Sequence, residues 1–302
     1  QIKIETGKMA KQADGAAFVS CGNNMMLVTE VSSRKESDMD FFPLTVEFSE
    51  KFYAAGKIPG GFFKREGRPT NDATLSARQI DRPIRPCFPE GYRYDTQVVA
   101  TVMSYDGLYP LEMLASLGAS AALHISDIPF SGPTASIQVA RLNGQYVVNP
   151  NPEDLENSDM DITIAGTRNG ILMVEGETKL ISEEDFLAAL KFGHEQMQPL
   201  LAMQEELREK TGSKAKRAFK VFTVDAHFRT QAEKYLTPKI TAALNIKEKN
   251  ERYAEYHNLK VEAVSELISS KNLGSETAPL RKKELGMIIE ELKYNISRAT
   301  IL

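Results

Sequence analysis

The 302-residue sequence predicts an α+β domain, with mixed or antiparallel sheets and packed helices, followed by a small all-helical domain. The first observation is that residues 1–180 consist mainly of β-branched and apolar runs separated by turn residues. The second is that apolar residues recur at helical spacing from Ser182 onward, and no credible strand follows residue 213. The predicted domains are therefore residues 1–212 and residues 213–302.

Strands of the first domain are indicated by runs such as "AAFVSCGNNMMLVTEVS" and "PLTVEFSEKFYA". Three hairpins are expected, at Gly22-Asn23-Asn24, Asn143-Gly144 and Asn169-Gly170. The Asn-Gly dipeptide suits a type I′ turn, because both of its residues tolerate a positive φ. Paired antiparallel strands should therefore form much of this domain.

Helices between and after these strands have recognisable starts and stops. The stretch "TLSARQIDR" follows a candidate N-cap at Asn71 or Asp72, and the small-residue run from Leu111 to Ser126 suits a helix packed closely on a sheet. Ser182 with Asp185 resembles a capping box for a helix that should end at Thr211-Gly212. Each of these segments predicts one helix.

The second domain begins after "GSKAKR", which is typical of a basic, flexible joint. Three amphipathic segments follow it, and each has helical spacing of its apolar residues. They are "AEKYLTPKITAAL", "ERYAEYHNLKVEAVSELI" and "RKKELGMIIEELKYNISRATI". A small helical domain is the prediction.

The composition, with 42% hydrophobic and 26% charged residues, is that of a globular chain with a substantial core. It excludes a disordered, fibrous or disulfide-scaffold protein. No apolar run approaches the roughly 20 residues that a membrane-spanning helix needs, and "QIKIETGKMAKQADG" lacks the apolar core of a signal peptide. We therefore expect a cytoplasmic protein without membrane contact.

The net charge of −4 conceals an uneven distribution. Residues 213–302 carry 17 Lys and Arg against 11 Asp and Glu, a net charge of +6, whereas residues 1–212 carry 20 against 30, a net charge of −10. Within that acidic part, residues 60–86 reverse the sign with six cations against three carboxylates. A local reversal of this kind indicates a site for anions. The cations are Lys64, Arg65, Arg68, Arg78, Arg82 and Arg85.

Two arrangements of these cations favour nucleic acid. Arg78, Arg82 and Arg85 are spaced i, i+4 and i+7, which places three guanidinium groups on one helix face and suits a string of phosphates. Upstream, Phe62 and Phe63 lie on a glycine-bounded loop among the other three cations. Exposed rings that stack on bases, interleaved with cations that neutralise the backbone, are typical of single-stranded nucleic-acid binding.

A purely structural interpretation of the same stretch is open at this point. Phe62 and Phe63 could anchor the loop in the core, while the arginines pair with the neighbouring carboxylates. Those carboxylates are Glu66, Asp72 and Asp81. Composition alone does not decide between anchoring and RNA binding.

The stretch "DFFPLTVEFSEKFYAAGKIPGGFFKREGRPTNDATLSARQIDRPIRPCFPEGY" resembles the first catalytic-fold domain of the bacterial polynucleotide phosphorylase family. "NPNPEDLENSDMDITIAGT" and "HEQMQPLL" are similar to later blocks of that family, so the resemblance runs through essentially the whole chain. It implies an RNase PH-like α+β domain and a helical linker domain. It also implies an enzyme that degrades RNA from the 3′ end by phosphorolysis.

The resemblance places the loop residues on the family's Phe-Phe-Arg-Arg loop, which lines the channel of a trimeric ring and grips RNA. These residues are Phe62, Phe63, Lys64, Arg65 and Arg68. Lys64 departs from the usual arginine, so it keeps the charge but loses the bidentate fork. The implied RNA-binding set comprises these five residues with Arg78, Arg82 and Arg85.

The same resemblance implies that this copy of the fold is catalytically inert. Where the catalytic copy has phosphate-binding serines, this chain has Pro110, Leu111 and Glu112, and a carboxylate cannot cradle a phosphate dianion. Asp161 matches one metal-binding aspartate, but Leu155 stands where the other belongs. No catalytic or metal-binding residue is therefore assigned here. The Mg²⁺ site and the site for inorganic phosphate, the co-substrate, are expected in a second copy beyond Leu302.

The leading interpretation is the N-terminal portion of a 3′-to-5′ phosphorolytic exoribonuclease of mRNA decay. This portion would thread single-stranded RNA and build a homotrimeric ring, with RNA-degradation complex partners. A first alternative is a stand-alone, non-catalytic subunit that forms a ring with an active RNase PH-like partner, and a second is a general RNA-binding module without a ring. The length of the encoded polypeptide separates the first two hypotheses, and a monomeric mass in solution would indicate the third.

Overall fold

The computed structural model describes residues 1–39, 41–62, 64–220, 223–269 and 277–302. The chain divides into two compact units, Gln1–Val221 and Phe222–Leu302. The first unit is α+β and the second is helical, as the sequence predicts. The division falls after Val221 rather than after Gly212.

The first sheet has five strands in the order β1-β2-β3-β5-β4. Its pairs are antiparallel except for β4 and β5, which are parallel. Buried residues alternate along its long strands, so one face is apolar and packs into the core. The strands are β1 (Ile2–Glu5), β2 (Gly15–Cys21), β3 (Asn24–Glu36), β4 (Leu44–Ser49) and β5 (Tyr94–Ser104).

The second sheet has four antiparallel strands in the order β7-β6-β8-β9. Its strands are β6 (Ala135–Leu142), β7 (Gln145–Val148), β8 (Met160–Thr167) and β9 (Gly170–Thr178). Both sheets together give the mixed pattern that the sequence predicts.

The three predicted hairpins form, with one change in turn geometry. Asn143 and Gly144 have φ values of 50° and 79°, as a type I′ turn requires, and Cys21 pairs with Asn24 across the first turn. In the third hairpin Thr167 pairs with Gly170, so the loop residues are Arg168 and Asn169 rather than Asn169 and Gly170. A register shift at Ala165/Gly166 takes up the difference.

Helix α1 (Asn71–Ile84) and a 3₁₀ turn (Arg85–Cys87) connect the first sheet's β4 to β5. The predicted cap at Asn71 or Asp72 was wrong, because the Thr70 side chain accepts the Ala73 N–H at 3.0 Å. A second 3₁₀ helix (Phe52–Ala55) precedes α1. The segment between these two elements carries the glycine-bounded loop.

Helix α2 (Leu111–Ile125) is the centre of the first unit. All of its residues except Glu112 are buried, and it contacts strands of both sheets. Gly118 faces the first sheet, while Ser116 Oγ hydrogen-bonds Ser136 Oγ of the second sheet at 2.6 Å. The small side chains allow close approach on both sides, as the sequence predicts.

Two further helices complete the first unit. The short α3 (Pro152–Glu156) precedes β8, and α4 (Glu183–Lys210) covers the second sheet. The Ser182 hydroxyl accepts the Asp185 N–H at 3.1 Å, and Thr211 caps the other end, so both predicted ends of α4 are confirmed.

Residues 213–220, which include most of the predicted flexible joint at 212–217, are tied to the end of α2. The Lys216 ammonium donates hydrogen bonds to three main-chain carbonyls, those of Leu123, His124 and Ser126, at 2.8, 3.2 and 2.9 Å. A cation at the C-terminal end of a helix is favoured by the unpaired carbonyls there. The prediction of a flexible joint was therefore wrong for this segment.

Two neighbouring side chains hold the same segment. Arg217 forms ion pairs with Asp127 and with Asp14, the latter at 3.1 Å, and its side chain is largely buried. Phe219 packs edge-on against Tyr92, with ring centroids 5.4 Å apart. The 213–220 segment is thus an integral part of the first unit.

The second unit consists of α5 (Ala226–Leu244), α6 (Lys249–Leu267) and α7 (Thr277–Ile301). Its core is formed by apolar side chains from all three helices. They include Phe228, Leu236, Ile240, Leu259, Leu285 and Ile288. Within the described ranges, no helix of the chain combines the length and apolar character needed to cross a membrane.

Gly118→Ala should destabilise the first unit by about 1–3 kcal/mol, because the added Cβ would lie 2.5 Å from Val28 Cγ2 and the core would be overpacked. The matched control is Gly286→Ala in α7, where a Cβ meets nothing within 4 Å. It should stabilise the second unit by about 0.5–1 kcal/mol, because alanine is the better helix former. Urea unfolding followed by circular dichroism measures both. A neutral Gly118→Ala would show that α2 is not held closely on the sheet.

Candidate RNA interface

The glycine-bounded loop lies between the 3₁₀ helix at Phe52–Ala55 and α1. Gly61 and Gly67 have φ values of 71° and 78°, in the left-handed region that other residues adopt only with strain. Glu66 Oε2 accepts the Phe52 main-chain N–H at 3.2 Å and so ties the loop to the 3₁₀ helix. The loop's turns therefore depend on glycine.

The aromatic and basic side chains of the loop face solvent. Phe62 is 95% exposed, and Lys64, Arg65 and Arg68 are also exposed. Phe63 lies outside the described residues. The interpretation of Phe62 as a core anchor was wrong, because its ring is exposed rather than buried in the core.

The three arginines predicted on one helix face are not equally accessible to a ligand, since Arg78 and Arg82 lie on α1 and Arg85 lies on the 3₁₀ turn that follows it. Arg85 donates from Nε to Asp81 at 3.1 Å, and its Nη atoms donate to the carbonyls of Phe42 and Leu44 at 3.2 and 3.1 Å. Its guanidinium also lies 5.7 Å from the Phe42 ring centroid. Arg85 thus fastens the end of α1 to the chain before β4, as the structural interpretation anticipated for Asp81.

Arg82 and Arg78 have different surroundings. Arg82 forms an exposed ion pair with Glu175 of β9 at 2.6 Å. Arg78 is exposed, and no ion pair of its side chain occurs among the described residues. Exposed pairs are weak, so Arg82 can exchange its partner for a phosphate at little cost, whereas Arg85 cannot.

The positions matched to the family's chemistry converge in space. Four of them line one open cleft of about 390 Å³, which we call the degenerate cleft. Its lining includes Pro110, Leu111 and Glu112 at the start of α2, Leu155 of α3 and Gln138 of β6. The sequence reasoning placed four of these residues correctly but missed Gln138. Tertiary folding alone brings a residue of β6 to this site.

The side chains of the degenerate cleft do not fit a metal ion or a phosphate. Glu112 Oε1 accepts a hydrogen bond from the Ser76 hydroxyl at 2.9 Å, which leaves a carboxylate where an anion would have to bind. Asp161 Oδ1 accepts a bond from Gln138 Nε2 at 2.7 Å, and Leu155 has no donor atom in its side chain. A single amide-paired carboxylate is not a site for Mg²⁺.

Asp159, the other carboxylate of "DMD", belongs to a separate ion-pair group. The Arg141 guanidinium lies 2.6 Å from Asp159 and 2.8 Å from Asp185, and this contact lowers the pKa of both carboxyls. Among the described residues, no three His, Cys, Asp or Glu side chains are grouped to hold a metal ion. Through Arg141 of β6, Asp159 before β8 and Asp185 of α4 therefore form a structural ion-pair group.

Three family models match successive parts of the chain. Residues 1–129 match domain 1 of the 3′ exoribonuclease family, and residues 132–196 match domain 2 of that family. Residues 228–302 match the RNA binding domain of polyribonucleotide nucleotidyltransferase. Together the three matches account for nearly the whole chain.

Curated relatives are similar over the full length of the chain. The polyribonucleotide nucleotidyltransferase of Bdellovibrio bacteriovorus is 65% identical over 302 residues, which cover 100% of this chain and 43% of the relative. That of Myxococcus xanthus is 45% identical, covering 99% of this chain and 41% of the relative. The chain therefore spans about two fifths of the length of these relatives.

Two solved structures share the fold at low sequence identity. Rice Rrp46 has a TM-score of 0.56 and 15% identity, over 69% of this chain and 94% of its own. The Archaeoglobus fulgidus exosome, solved with RNA bound to its active site, gives a TM-score of 0.50 and 19% identity, over 70% and 87%. These likenesses concern the fold alone.

Arg85→Ala should lower the free energy of unfolding by about 1–2 kcal/mol, because it removes the two hydrogen bonds that the guanidinium donates to the Phe42 and Leu44 carbonyls. The Asp81 pair adds little, since the Arg85 side chain is 40% exposed. Arg78→Ala is the control from α1 and should change stability by less than about 0.5 kcal/mol. Thermal and urea unfolding compare the two, and equal effects would contradict the structural role of Arg85.

Proposed function

The chain belongs to the polyribonucleotide nucleotidyltransferase family, and from that premise we propose that it forms the N-terminal portion of a phosphorolytic 3′-to-5′ exoribonuclease. This portion binds and threads single-stranded RNA, while a second copy of the fold, beyond Leu302, performs the phosphorolysis. The observation that carries the proposal is the solvent-facing loop on which Phe62 lies among Lys64, Arg65 and Arg68.

The loop supplies two kinds of interaction, base stacking and phosphate neutralisation, that single-stranded RNA can form whatever its base sequence. Rings such as Phe62 and Phe63 stack on bases, and Lys64, Arg65 and Arg68 neutralise phosphates. Arg78 extends this basic surface along α1, and Arg82 joins it by exchanging Glu175 for a phosphate. Arg85 contributes through the position of α1, because its guanidinium is engaged with Asp81 and two carbonyls.

The chemistry of the proposed enzyme lies outside this chain. Phosphorolysis needs an attacking phosphate and a divalent metal that stabilises the departing oxygen. Because Glu112 and Leu155 fit neither group, inorganic phosphate and Mg²⁺ belong to the proposed catalytic copy. The proposal includes a homotrimeric ring in the cytoplasm, acting in mRNA decay with partners of an RNA-degradation complex.

The chain by itself should neither release nucleoside diphosphates from RNA with phosphate and magnesium nor polymerise them. The reason is that the degenerate cleft offers a carboxylate to the phosphate and an alkyl side chain to the metal. Product release is measured by chromatography on a rigorously purified sample. Robust diphosphate release that disappears on Asp161→Ala would overturn the assignment of this copy as inert.

Loop substitutions in the full-length protein should fail in two distinguishable ways. Phe62→Ala should cost about 1–3 kcal/mol in binding long single-stranded RNA and leave the salt dependence unchanged, because stacking involves no counterion release. Arg65→Ala or Arg68→Ala should also flatten the slope of log affinity against log salt by roughly 0.7 for each phosphate that the protein no longer neutralises. Fluorescence anisotropy over a salt series separates the two.

Short RNA provides the control for the loop variants. Substrates too short to reach the loop should be cleaved almost as by the parent protein, because the loop is not the site of chemistry. Equal losses on short and long RNA, with unchanged thermal stability, would place the loop in the active site and refute threading. A loss of folding in Phe62→Ala would instead support a structural role for the ring.

A further inference from the structure

A second open cleft, also of about 390 Å³, lies directly beside the RNA-binding loop, and we call it the loop cleft. One wall is the end of β4 and the 3₁₀ helix, including Phe52, Lys57 and Lys51, and Lys51 also lines the degenerate cleft. The opposite wall is the segment from Glu66 to Thr70, which includes Arg68. The loop and the cleft are thus parts of one continuous surface.

The loop cleft contains the same pairing of ring and cations as the loop itself. Phe52 is 39% exposed although it begins a helix whose next-but-one residue, Ala54, is buried. Lys51, Lys57 and Arg68 form no ion pair among the described residues. Three cations around a partly exposed ring are chemically suited to a base with its phosphodiester.

Three carboxylates also line the loop cleft and balance its three cations in formal charge, and two of these carboxylates accept hydrogen bonds from neutral groups of the cleft walls. Glu50 Oε2 accepts the Thr70 hydroxyl at 3.0 Å, which fastens the end of β4 to the cap of α1. Glu66 Oε2 accepts the Phe52 main-chain N–H, which fastens the two walls to each other. These two acids therefore hold the cleft's shape, and Glu47 is the remaining carboxylate.

We propose that the loop cleft binds one nucleotide of the single-stranded RNA that passes over the loop. The base lies against Phe52, and the phosphodiester contacts Arg68 with Lys51 or Lys57. The volume is within the range of small-ligand sites. A strand is favoured over a free nucleotide because Arg68 belongs to both the loop and the cleft wall. The inference rests on the proposed function and adds a subsite to it.

The test uses the full-length protein, a long single-stranded oligoribonucleotide and fluorescence anisotropy over a salt series. Phe52→Leu keeps the apolar volume but removes the ring, and it should weaken binding by about 5- to 150-fold with an unchanged salt slope. Lys51→Gln and Lys57→Gln should together flatten the slope by roughly 0.7 for each phosphate left without its cation.

Two exposed residues that do not line the loop cleft provide matched controls. Phe41→Leu removes a 59% exposed ring, and Lys11→Gln removes an exposed cation that has no ion pair among the described residues. Neither should change affinity or salt slope. Thermal unfolding of Phe52→Leu checks that this variant folds. If it does not fold, Lys57→Gln still tests the subsite, because Lys57 is exposed and its substitution should not affect folding.

The outcomes separate this inference from the proposed function. If Arg65→Ala weakens binding while Phe52→Leu and Lys57→Gln behave like their controls, the nucleotide subsite is refuted and the loop's role stands. If Arg65→Ala is also without effect, both proposals fail. If a free nucleoside monophosphate binds and Lys57→Gln abolishes that binding, but strand binding is unaffected, the cleft is a mononucleotide site and the inference is overturned.

Discussion

The first unit depends on how closely two sheets can pack against the single helix α2. Gly118 leaves no room for a Cβ, since the methyl groups of Val28 and Val19 would lie 2.5 and 3.1 Å from it. On the other side of α2, the Ser116 hydroxyl hydrogen-bonds the Ser136 hydroxyl of β6 at 2.6 Å. The Ser120 hydroxyl accepts the main-chain N–H of Thr134, just before β6, at 2.7 Å. The small side chains at these positions let both sheets pack close to α2. Larger side chains there would force the sheets apart.

The two ends of α2 have opposite electrostatic surroundings, and each end defines a feature of the surface. Its first turn contributes Leu111 and Glu112 to the degenerate cleft. Its last carbonyls accept Lys216, whose burial lowers the pKa of the ammonium to about 8. Burial, with the nearby cations Arg208 and Lys216, likewise lowers the pKa of His124 to about 4, so that its ring stays neutral at physiological pH. One helix thus contributes to the degenerate cleft at its start and anchors the 213–220 segment at its end.

Local signals in the sequence were sufficient where the physics is local. Asn143-Gly144 fixes its turn because both residues adopt positive φ, and Ser182 caps α4 with its own hydroxyl. Thr70 was missed as a cap since Asn71 and Asp72 have equally suitable side chains, and only the geometry of the preceding chain selects among them.

Long-range contacts account for what the sequence could not disclose. Regular spacing indicated three equivalent arginines on one helix face, but Arg85 meets carbonyls more than forty residues away, and no local pattern encodes that partner. Lys216 is a second example. Its sequence context indicates a solvated residue in a joint, and only the folded structure brings it to the carbonyls at the end of α2. Phe52 gave no signal in the sequence because the opposite wall of its cleft comes from the segment around Glu66, whose side chain accepts the Phe52 N–H.

The exposed ring of Phe62 on its glycine-bounded loop also has a consequence for movement. Every nucleotide presents the same phosphate and a similar aromatic face, so if the loop binds RNA as proposed, advancing the strand by one position would restore the interactions that it had just broken. Under the proposed function, a surface of this kind holds a strand without preferring one register over the next, so the loop would not itself set the direction in which the strand moves.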